Sequence, residues 1–363
     1  MKKHLILLLC LVLLTACGRQ GGSGEPELSL AYGNFPFGGD YTSCSIGDHV
    51  YSLYYSFHVY DAQSETVRRG LCRDPLCAHD TESCPDDLLK RSSGFPGMAT
   101  DGKKLFLSTV YFETDGKTGQ SERHRAVYAV DPIGGKVRRV CEVPTTGAEY
   151  AGLIYADGSL WIMGAYYDED FDPSSDAADY GDQYAKILRV RTSGGSPEPV
   201  SEERFDIDYA FFTDGRTLWT EGRSTGTLCC CPLENGKTAG QWTDCLPDGM
   251  HAGPMCVYEG KVYLITSPAS PKDAKGAYTD VSGRTLCPLS VFRLNGGEWE
   301  MTAEDVTFWS YRFAGGALWY EPFAAESYGV RDSWNGRETV PTEWVKNGTG
   351  VLRRLDLADG SVC

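Results

Sequence analysis

The chain has 363 residues, of which 41% are hydrophobic and 23% charged, so it can bury a sizeable core, which excludes a disordered or collagen-like protein. Its 42 glycines and its 12% of aromatic residues favour an all-β fold, in which many short strands are joined by turns. A formal charge of −16 would repel a polyanion, so nucleic acid is excluded as a partner.

Residues 1–16 are predicted to be a secretory signal peptide. Two lysines precede an unbroken apolar run from Leu5 to Leu14, which is too short to span a bilayer comfortably. The run ends in Leu-Thr-Ala-Cys17, which resembles the lipobox of bacterial lipoproteins. This resemblance implies that Cys17 receives a diacylglyceryl group and becomes the mature N-terminus. The alternative is an ordinary secretory signal in which the cysteine occurs by chance.

Residues 17–27 follow as a lipidated flexible tether that is rich in glycine and serine. We therefore expect an exported protein that is anchored by lipid to the outer face of the bacterial cytoplasmic membrane. The lipid anchor would be its contact with the membrane.

Residues 28–363 contain six copies of one pattern, in which a Gly- or Asp-containing turn precedes an apolar residue and an aromatic one. The copies recur about every 55 residues, a period that matches a four-stranded β-propeller blade with its loops. The aligned aromatic residues are Tyr51, Phe106, Trp161, Trp219, Tyr263 and Trp319. We predict an all-β, six-bladed propeller in which these aromatic side chains pack between neighbouring sheets.

Closure of the ring needs an additional strand. The last repeat reaches Cys363 with only three residues left for its outer strand. The segment Leu28 to Tyr32 is predicted to pair with blade six and to close the propeller.

The repeated turn-and-aromatic pattern, together with the lipobox, resembles the TolB-like six-bladed propeller lipoproteins of Gram-positive bacteria, whose functions are poorly characterised. The resemblance implies architecture and surface location. It implies no activity, since such propellers range from binding scaffolds to hydrolases.

The connection from blade one to blade two contains Cys72, Cys77, His79 and Cys84 within thirteen residues. Three thiolates and an imidazole suit a tetrahedral metal such as Zn(II), and a closed four-ligand site would be structural. A disulfide between two of the cysteines and a packed loop with all three reduced are the alternatives. The same segment resembles a recurrent CxxxPxCxH element of those lipoproteins.

Two further groups of cysteines can be interpreted from their place in the repeats. Cys44 and Cys256 stand at positions occupied by buried apolar residues in other blades, so we expect them in the core. The run Cys229 to Cys231 lies in a strand, where adjacent side chains point to opposite faces, so these three cannot form one cluster.

The long loop of blade three has the spacing of a calcium-binding EF-hand loop. Its oxygen-bearing side chains at the ligand positions are Asp168, Asp170, Asp172, Ser174, Asp176 and Asp179. Pro173 stands where the turn requires glycine, and Asp179 stands where glutamate is usual. A solvated acidic loop without calcium is the alternative.

Long loops between the second and third strands of the blades place the predicted binding surface on one face of the propeller. The candidate ligand-binding residues in these loops are Tyr166, Tyr167, Tyr278, Trp334 and Trp344. Each of them can instead anchor its loop to the body of the protein.

The chain contains no HExxH, GxSxG, Walker-type or dinucleotide-binding motif, so no catalytic residue is assigned. The predicted function is the binding of an extracellular glycan or peptide on the long-loop face by a surface-anchored lipoprotein. The alternatives are an exported propeller hydrolase or lyase that acts on carbohydrate, and a scaffold for envelope proteins.

Overall fold

The computed structural model describes residues 42–363 except positions 55, 62, 75, 82–83, 93, 115, 120, 133–134, 145–151, 168–182, 207–208, 223–224, 259, 315, 335–337 and 347. The predicted signal peptide, the tether and the closing strand from Leu28 to Tyr32 lie outside the described residues. In the part that is described, no helix is long and apolar enough to cross a membrane.

The first two sheets each contain four antiparallel strands in chain order. Blade one consists of β1 (Thr42–Ile46), β2 (His49–Tyr54), β3 (Ser56–Asp61) and β4 (Thr66–Arg69). Blade two consists of β5 (Gly94–Thr100), β6 (Leu105–Thr114), β7 (Ser121–Val130) and β8 (Val137–Glu142). A short helix, α1 (Pro85–Arg91), lies in the connection between them.

Blades three and four each have a four-stranded path and one extra short strand. Blade three consists of β9 (Leu153–Ala156), β10 (Ser159–Tyr167), β11 (Gln183–Arg191) and β12 (Glu198–Pro199), with β13 (Phe205–Asp206) also paired to β11. Blade four consists of β14 (Tyr209–Thr213), β15 (Thr217–Gly222), β16 (Thr227–Glu234) and β17 (Lys237–Thr238), with β18 (Thr243–Asp244) also paired to β16.

The last sheet has six strands and carries two inserted hairpins. It contains β19 (Met250–Tyr258), β20 (Lys261–Pro268), β23 (Leu289–Asn295), β24 (Glu298–Ala314), β25 (Ala317–Pro322) and β28 (Arg353–Asp356). The insertions are the hairpins β21 (Tyr278–Thr279) with β22 (Thr285–Leu286) and β26 (Glu326–Trp334) with β27 (Thr339–Lys346). A 3-10 turn, Pro271–Asp273, precedes the first hairpin.

The fold is an all-β propeller, as predicted. The inner strands β1, β5, β9 and β14 contact one another in that order, which is the arrangement of successive blades around a common axis. Buried side chains from adjacent sheets form the apolar clusters between the blades. Among the described residues, helix is confined to α1 and the 3-10 turn.

The predicted number of blades is wrong, because the propeller has five and not six. The fifth and sixth repeats share one sheet, since β24 extends from the outer edge of one repeat into the next, with shifts of register along its length. Its 17 residues contain no glycine or proline, and the chain stays in the sheet through Asp305, whose φ is 60°.

Five of the six repeat aromatics are buried between sheets as predicted, namely Tyr51, Phe106, Trp161, Trp219 and Tyr263. Trp319 is the exception, because 40% of its surface is exposed. Its neighbours Leu318 and Tyr320 point to the opposite face and are buried in the core of the shared sheet. The face that contains Trp319 is therefore much less covered than the corresponding face in the other repeats.

The repeated turn behaves as the sequence predicts. In blade three, Asp157 and Gly158 have φ values of 48° and 67°, which is the left-handed backbone of a tight hairpin turn. Cys44 and Cys256 are buried in the core, which confirms their interpretation as small apolar residues.

Candidate metal centre and ligand surface

The connection between β4 and α1 brings Cys72, Cys77, His79 and Cys84 together. One possible ligand atom from each residue lies within 4.8 Å of the others. The Sγ atoms of Cys77 and Cys84 are 3.6 Å apart, and Nδ1 of His79 lies 3.3 Å from Sγ of Cys84. Cys84 is buried and the other three side chains are half-buried, so the cluster lies at the edge of the core with one side towards solvent.

Asp86 on α1 fixes the backbone between the end of β4 and Cys72. Its Oδ1 atom accepts hydrogen bonds from the backbone amides of Leu71 at 2.5 Å and Cys72 at 3.1 Å. Gly70 has a φ of 77° and lies so close to the Asp86 carboxylate that a Cβ atom there would overlap it. Cys72 is therefore fixed relative to α1, the helix that begins directly after Cys84.

His79 is held in place from several sides. Its φ of 55° is a left-handed conformation that non-glycine residues rarely adopt. Its backbone amide donates to Sγ of Cys77 at 3.4 Å, and its carbonyl accepts from Nζ of Lys90 at 3.2 Å. These contacts orient the imidazole towards Cys84.

The thiols of the cluster differ in acidity. Burial raises the pKa of Cys72 to about 11. Burial also acts to raise the pKa of Cys84, but hydrogen bonds from His79, from the backbone amides of Asp87 and Asp86, and from Cys77 outweigh it and lower the pKa to about 7. The arrangement therefore favours a thiolate at Cys84, the residue that contacts both His79 and Cys77.

The five candidate ligand-binding residues lie on three elements, namely strand β10 and the two inserted hairpins. Tyr166 stacks on Tyr184 with ring centroids 5.7 Å apart, and Nζ of Lys186 lies 5.5 Å from its ring. Burial raises the pKa of Tyr166 to about 12. Tyr166 and its half-buried neighbour Tyr167 end strand β10. The packing of Tyr166 against its own sheet fits the alternative in which such a residue anchors its loop to the body of the protein.

The two tryptophans lie on the β26–β27 hairpin but on opposite faces of it. Trp344 is paired with Gly329, whereas Trp334 is paired with Thr339. Directly paired residues share a face and side chains alternate along a strand, so this register separates the two indole rings. Trp334 is 69% exposed and Trp344 is 45% exposed.

We use the name aromatic platform for Tyr328, Arg331 and Trp344. The rings of Tyr328 and Trp344 have centroids 5.9 Å apart, and the guanidinium carbon of Arg331 lies 4.7 Å from the Trp344 ring. Tyr328 is 65% exposed. The two rings are tilted by 49° to each other, so the platform combines two apolar ring faces with a cation that can donate hydrogen bonds.

The hairpin that carries the platform is bound to the other inserted hairpin. Glu343 accepts hydrogen bonds from Oγ of Ser327 at 2.5 Å and from the backbone amide of Val281 at 3.2 Å. Tyr278 also hydrogen-bonds with Ser327 and Glu343. The structure therefore places Tyr278 between the two long loops, where its hydroxyl joins them.

The turn of the β21–β22 hairpin is organised by the buried carboxylate of Asp280. It accepts hydrogen bonds from the backbone amides of Ser282 and Arg284 at 3.0 and 2.9 Å, and from Oγ of Ser282 at 2.6 Å. The Ser282 hydroxyl is the main cause of a lowered pKa at Asp280. This turn gives the β26–β27 hairpin a rigid neighbour.

Sequence reasoning missed a pair of cysteines in blade four. Cys230 accepts a hydrogen bond from the thiol of Cys245, which together with Thr243 lowers the pKa of Cys230 to about 6 in spite of its burial. Sγ of Cys230 lies 3.4 Å from Oγ1 of Thr243, its partner in the sheet. The loop after β17 brings Cys245 back to this strand, and no spacing in the sequence signals that return.

A cleft of about 480 Å³ lies between the outer turns of blades three and four. It is lined by Arg189, Arg191 and Lys237, by the carboxylate of Glu198, and by glycine-containing turns. Arg189 also donates to the carbonyl of Asn235 at 3.0 Å. These turns join the third and fourth strands of their blades, so the cleft is not formed by the long loops that join the second and third strands.

Two predicted sites lie outside the described residues. They are the lipid attachment site Cys17 and the calcium-type loop with Asp168, Asp170, Asp172, Ser174, Asp176 and Asp179.

Comparison with known proteins shows only distant similarity. No protein-family model matches the chain, and no curated protein matches it. A solved acylaminoacyl peptidase from Pyrococcus horikoshii is 12% identical with a TM-score of 0.45, over 84% of this chain and 43% of the peptidase. This chain thus spans less than half of that enzyme.

Two further solved structures match over most of their own length. A candidate TolB from Agrobacterium tumefaciens is 13% identical with a TM-score of 0.42, over 85% of this chain and 87% of that protein. The β-propeller domain of the Trilobed protease from Pyrococcus furiosus is 10% identical with a TM-score of 0.36, over 88% and 97% of the two chains. At this distance, the fold assignment rests on the sheet topology described above.

Proposed function

We propose that this protein is an exported lipoprotein that binds an extracellular glycan or peptide through the aromatic platform. The observation that carries the proposal is the exposure of Tyr328 and Trp344 side by side on a hairpin that lies outside the propeller sheets. Exposed aromatic rings that contact each other on a supported element are typical of a binding surface, because burial by a ligand removes apolar area from water.

The chemistry of the platform favours a ligand with flat, partly apolar faces and polar edges. A sugar ring or an aromatic peptide side chain can stack on Tyr328 and Trp344, while Arg331 offers hydrogen bonds to hydroxyl, carbonyl or carboxylate oxygens. The chain as a whole has a formal charge of −16, so the positive charge of Arg331 would select locally for ligands that offer oxygen acceptors.

The proposed location follows from the N-terminal sequence. A lipid on Cys17, followed by the tether of residues 17–27, would hold the propeller at the outer face of the cytoplasmic membrane, as the resemblance to Gram-positive propeller lipoproteins implies. Because the tether is flexible, it would also let the platform reach ligands in the cell envelope.

The test is a glycan and peptide array probed with the detergent-solubilised full-length protein. We expect Tyr328→Ala and Trp344→Ala to reduce binding to the selected ligand at least tenfold, because each removes a stacking surface. Trp319→Ala is the matched control, since Trp319 is also a partly exposed tryptophan but lies in a propeller strand. Equal binding by all three variants would overturn the proposal, as would the absence of any ligand for the wild type.

A further inference from the structure

We propose that Cys72, Cys77, His79 and Cys84 bind one Zn(II) ion in a structural site that joins blade one to the helix before blade two. The inference is independent of the ligand-binding function. It rests on the convergence of four ligand atoms to within 4.8 Å of one another in a segment of thirteen residues.

Two of the six separations between the ligand atoms match a tetrahedral zinc site, and all six are at most 4.8 Å. Zn–S bonds of about 2.3 Å and Zn–N bonds of about 2.0 Å separate neighbouring ligand atoms by roughly 3.5–3.8 Å. The distance of 3.6 Å between the sulfurs of Cys77 and Cys84 and the distance of 3.3 Å from His79 Nδ1 to Cys84 Sγ are within a few tenths of an ångström of these values.

The surroundings of the cluster provide what a thiolate site requires. The backbone amide of His79 donates to Sγ of Cys77, which offsets part of the negative charge of a metal-bound thiolate. Lys90, whose ammonium group binds the carbonyl of His79, adds a nearby positive charge. A disulfide would engage two of the sulfurs and leave the third thiol and the imidazole without a role, whereas zinc engages all four groups.

Zinc binding would form three Zn–S bonds and one Zn–N bond, and the protons still bound to the three thiols would pass to solvent. With four protein ligands the ion has no open position, so the site is structural. It would clamp the segment between Leu71 and Leu88, two residues that are buried in the core between blades one and two. The ion would therefore stabilise the packing of α1 between these blades.

The first experiment measures zinc in the full-length protein, purified without chelator, by elemental analysis. We expect about one zinc per chain in the wild type and in Cys363→Ser, the matched control at an exposed cysteine outside the cluster. Cys77→Ser and His79→Ala should lose most of the metal. Zinc content that is unchanged in both of these variants would overturn the proposal.

The second experiment uses only the wild type, so it does not depend on the folding of the variants. Zinc should protect the three cluster cysteines from alkylation, and a chelator should expose them. The backbone amide of Leu88, which donates to the carbonyl of Cys84, should exchange its hydrogen faster after chelation, while amides of β10 should be unaffected. A mapped disulfide among the three cysteines, or a wild type that retains no zinc after incubation with it, would overturn the proposal.

Discussion

The carboxylate of Glu343 accepts a hydrogen bond from the backbone amide of Val281 at 3.2 Å, and this contact joins the inserted hairpins of the last two repeats. The two residues are 62 positions apart in the chain. The contact matters because the hairpin with Glu343 also carries the aromatic platform, whose three residues are all exposed.

Glu343→Gln should loosen the two hairpins relative to each other. The Ser327 hydroxyl is the main cause of the lowered pKa of Glu343, so the charged carboxylate is the form that the folded protein favours. We expect faster hydrogen exchange at the Val281 amide and weaker ligand binding at the platform.

The same contact has a defined pH dependence. Because the pKa of Glu343 is lowered in the folded protein, its contribution to stability is complete above the ordinary carboxyl pKa and is lost as the pH falls through the folded value. The control for Glu343→Gln is Glu326→Gln, at the exposed start of the same hairpin. An exchange rate at Val281 that does not differ between the two variants would contradict the assigned role of Glu343.

Cys17→Ala should abolish lipid attachment. If the Leu-Thr-Ala-Cys17 sequence is a lipobox, this variant has no thiol for the diacylglyceryl group and should be released from the membrane or retain its signal peptide. Metabolic labelling with a fatty acid, followed by membrane fractionation, measures both effects. Cys10→Ala, within the predicted signal peptide, serves as the control and should remain labelled. Undiminished labelling of Cys17→Ala would show that the lipid is elsewhere.

Gly97→Ala should destabilise the propeller. A Cβ atom at Gly97 would lie 2.7 Å from Cβ of Leu153 on the inner strand of the next blade, so the two strands would have to separate. The expected cost is about 1–3 kcal/mol of unfolding free energy. Gly116→Ala is the matched control, because nothing lies within 4 Å of that position. Thermal unfolding followed by circular dichroism compares them, and equal melting temperatures would show that blades two and three tolerate the extra carbon.

Cys230 should be the first of the blade-four cysteines to react with iodoacetamide. Its pKa of about 6 makes the thiolate the main species at pH 7, whereas burial raises the pKa of Cys229 and that of Cys231. Cys245→Ala removes the hydrogen-bond donor, so the alkylation rate of Cys230 at pH 7 should fall several-fold. Mass spectrometry of peptides at several pH values measures this, and a rate that Cys245→Ala leaves unchanged would contradict the hydrogen bond.

Several features could be predicted from the sequence because they depend on local chemistry. The turn at Asp157 and Gly158 needs residues that tolerate positive φ, and the aromatic residue that follows it, Trp161, lies in a strand with both faces buried. A period of about 55 residues is likewise a property of the chain itself. These signals were sufficient for the propeller class.

Tertiary structure decided what happens where strands and loops meet. The number of blades depended on whether the chain turns between the fifth and sixth repeats, and β24, which contains no glycine or proline, continues from one into the other. Trp319 is exposed for the related reason that its face of the shared sheet is much less covered.

The functional surfaces show the same division. The spacing of Cys72, Cys77, His79 and Cys84 indicated a set of ligands, but only the path of the loop around α1 shows that all four converge. The register of the β26–β27 hairpin separates Trp334 from Trp344, because a shift of one residue moves a side chain to the other face. Composition and spacing list the groups that a protein has, whereas register and loop path, which depend on long-range packing, decide which of them meet.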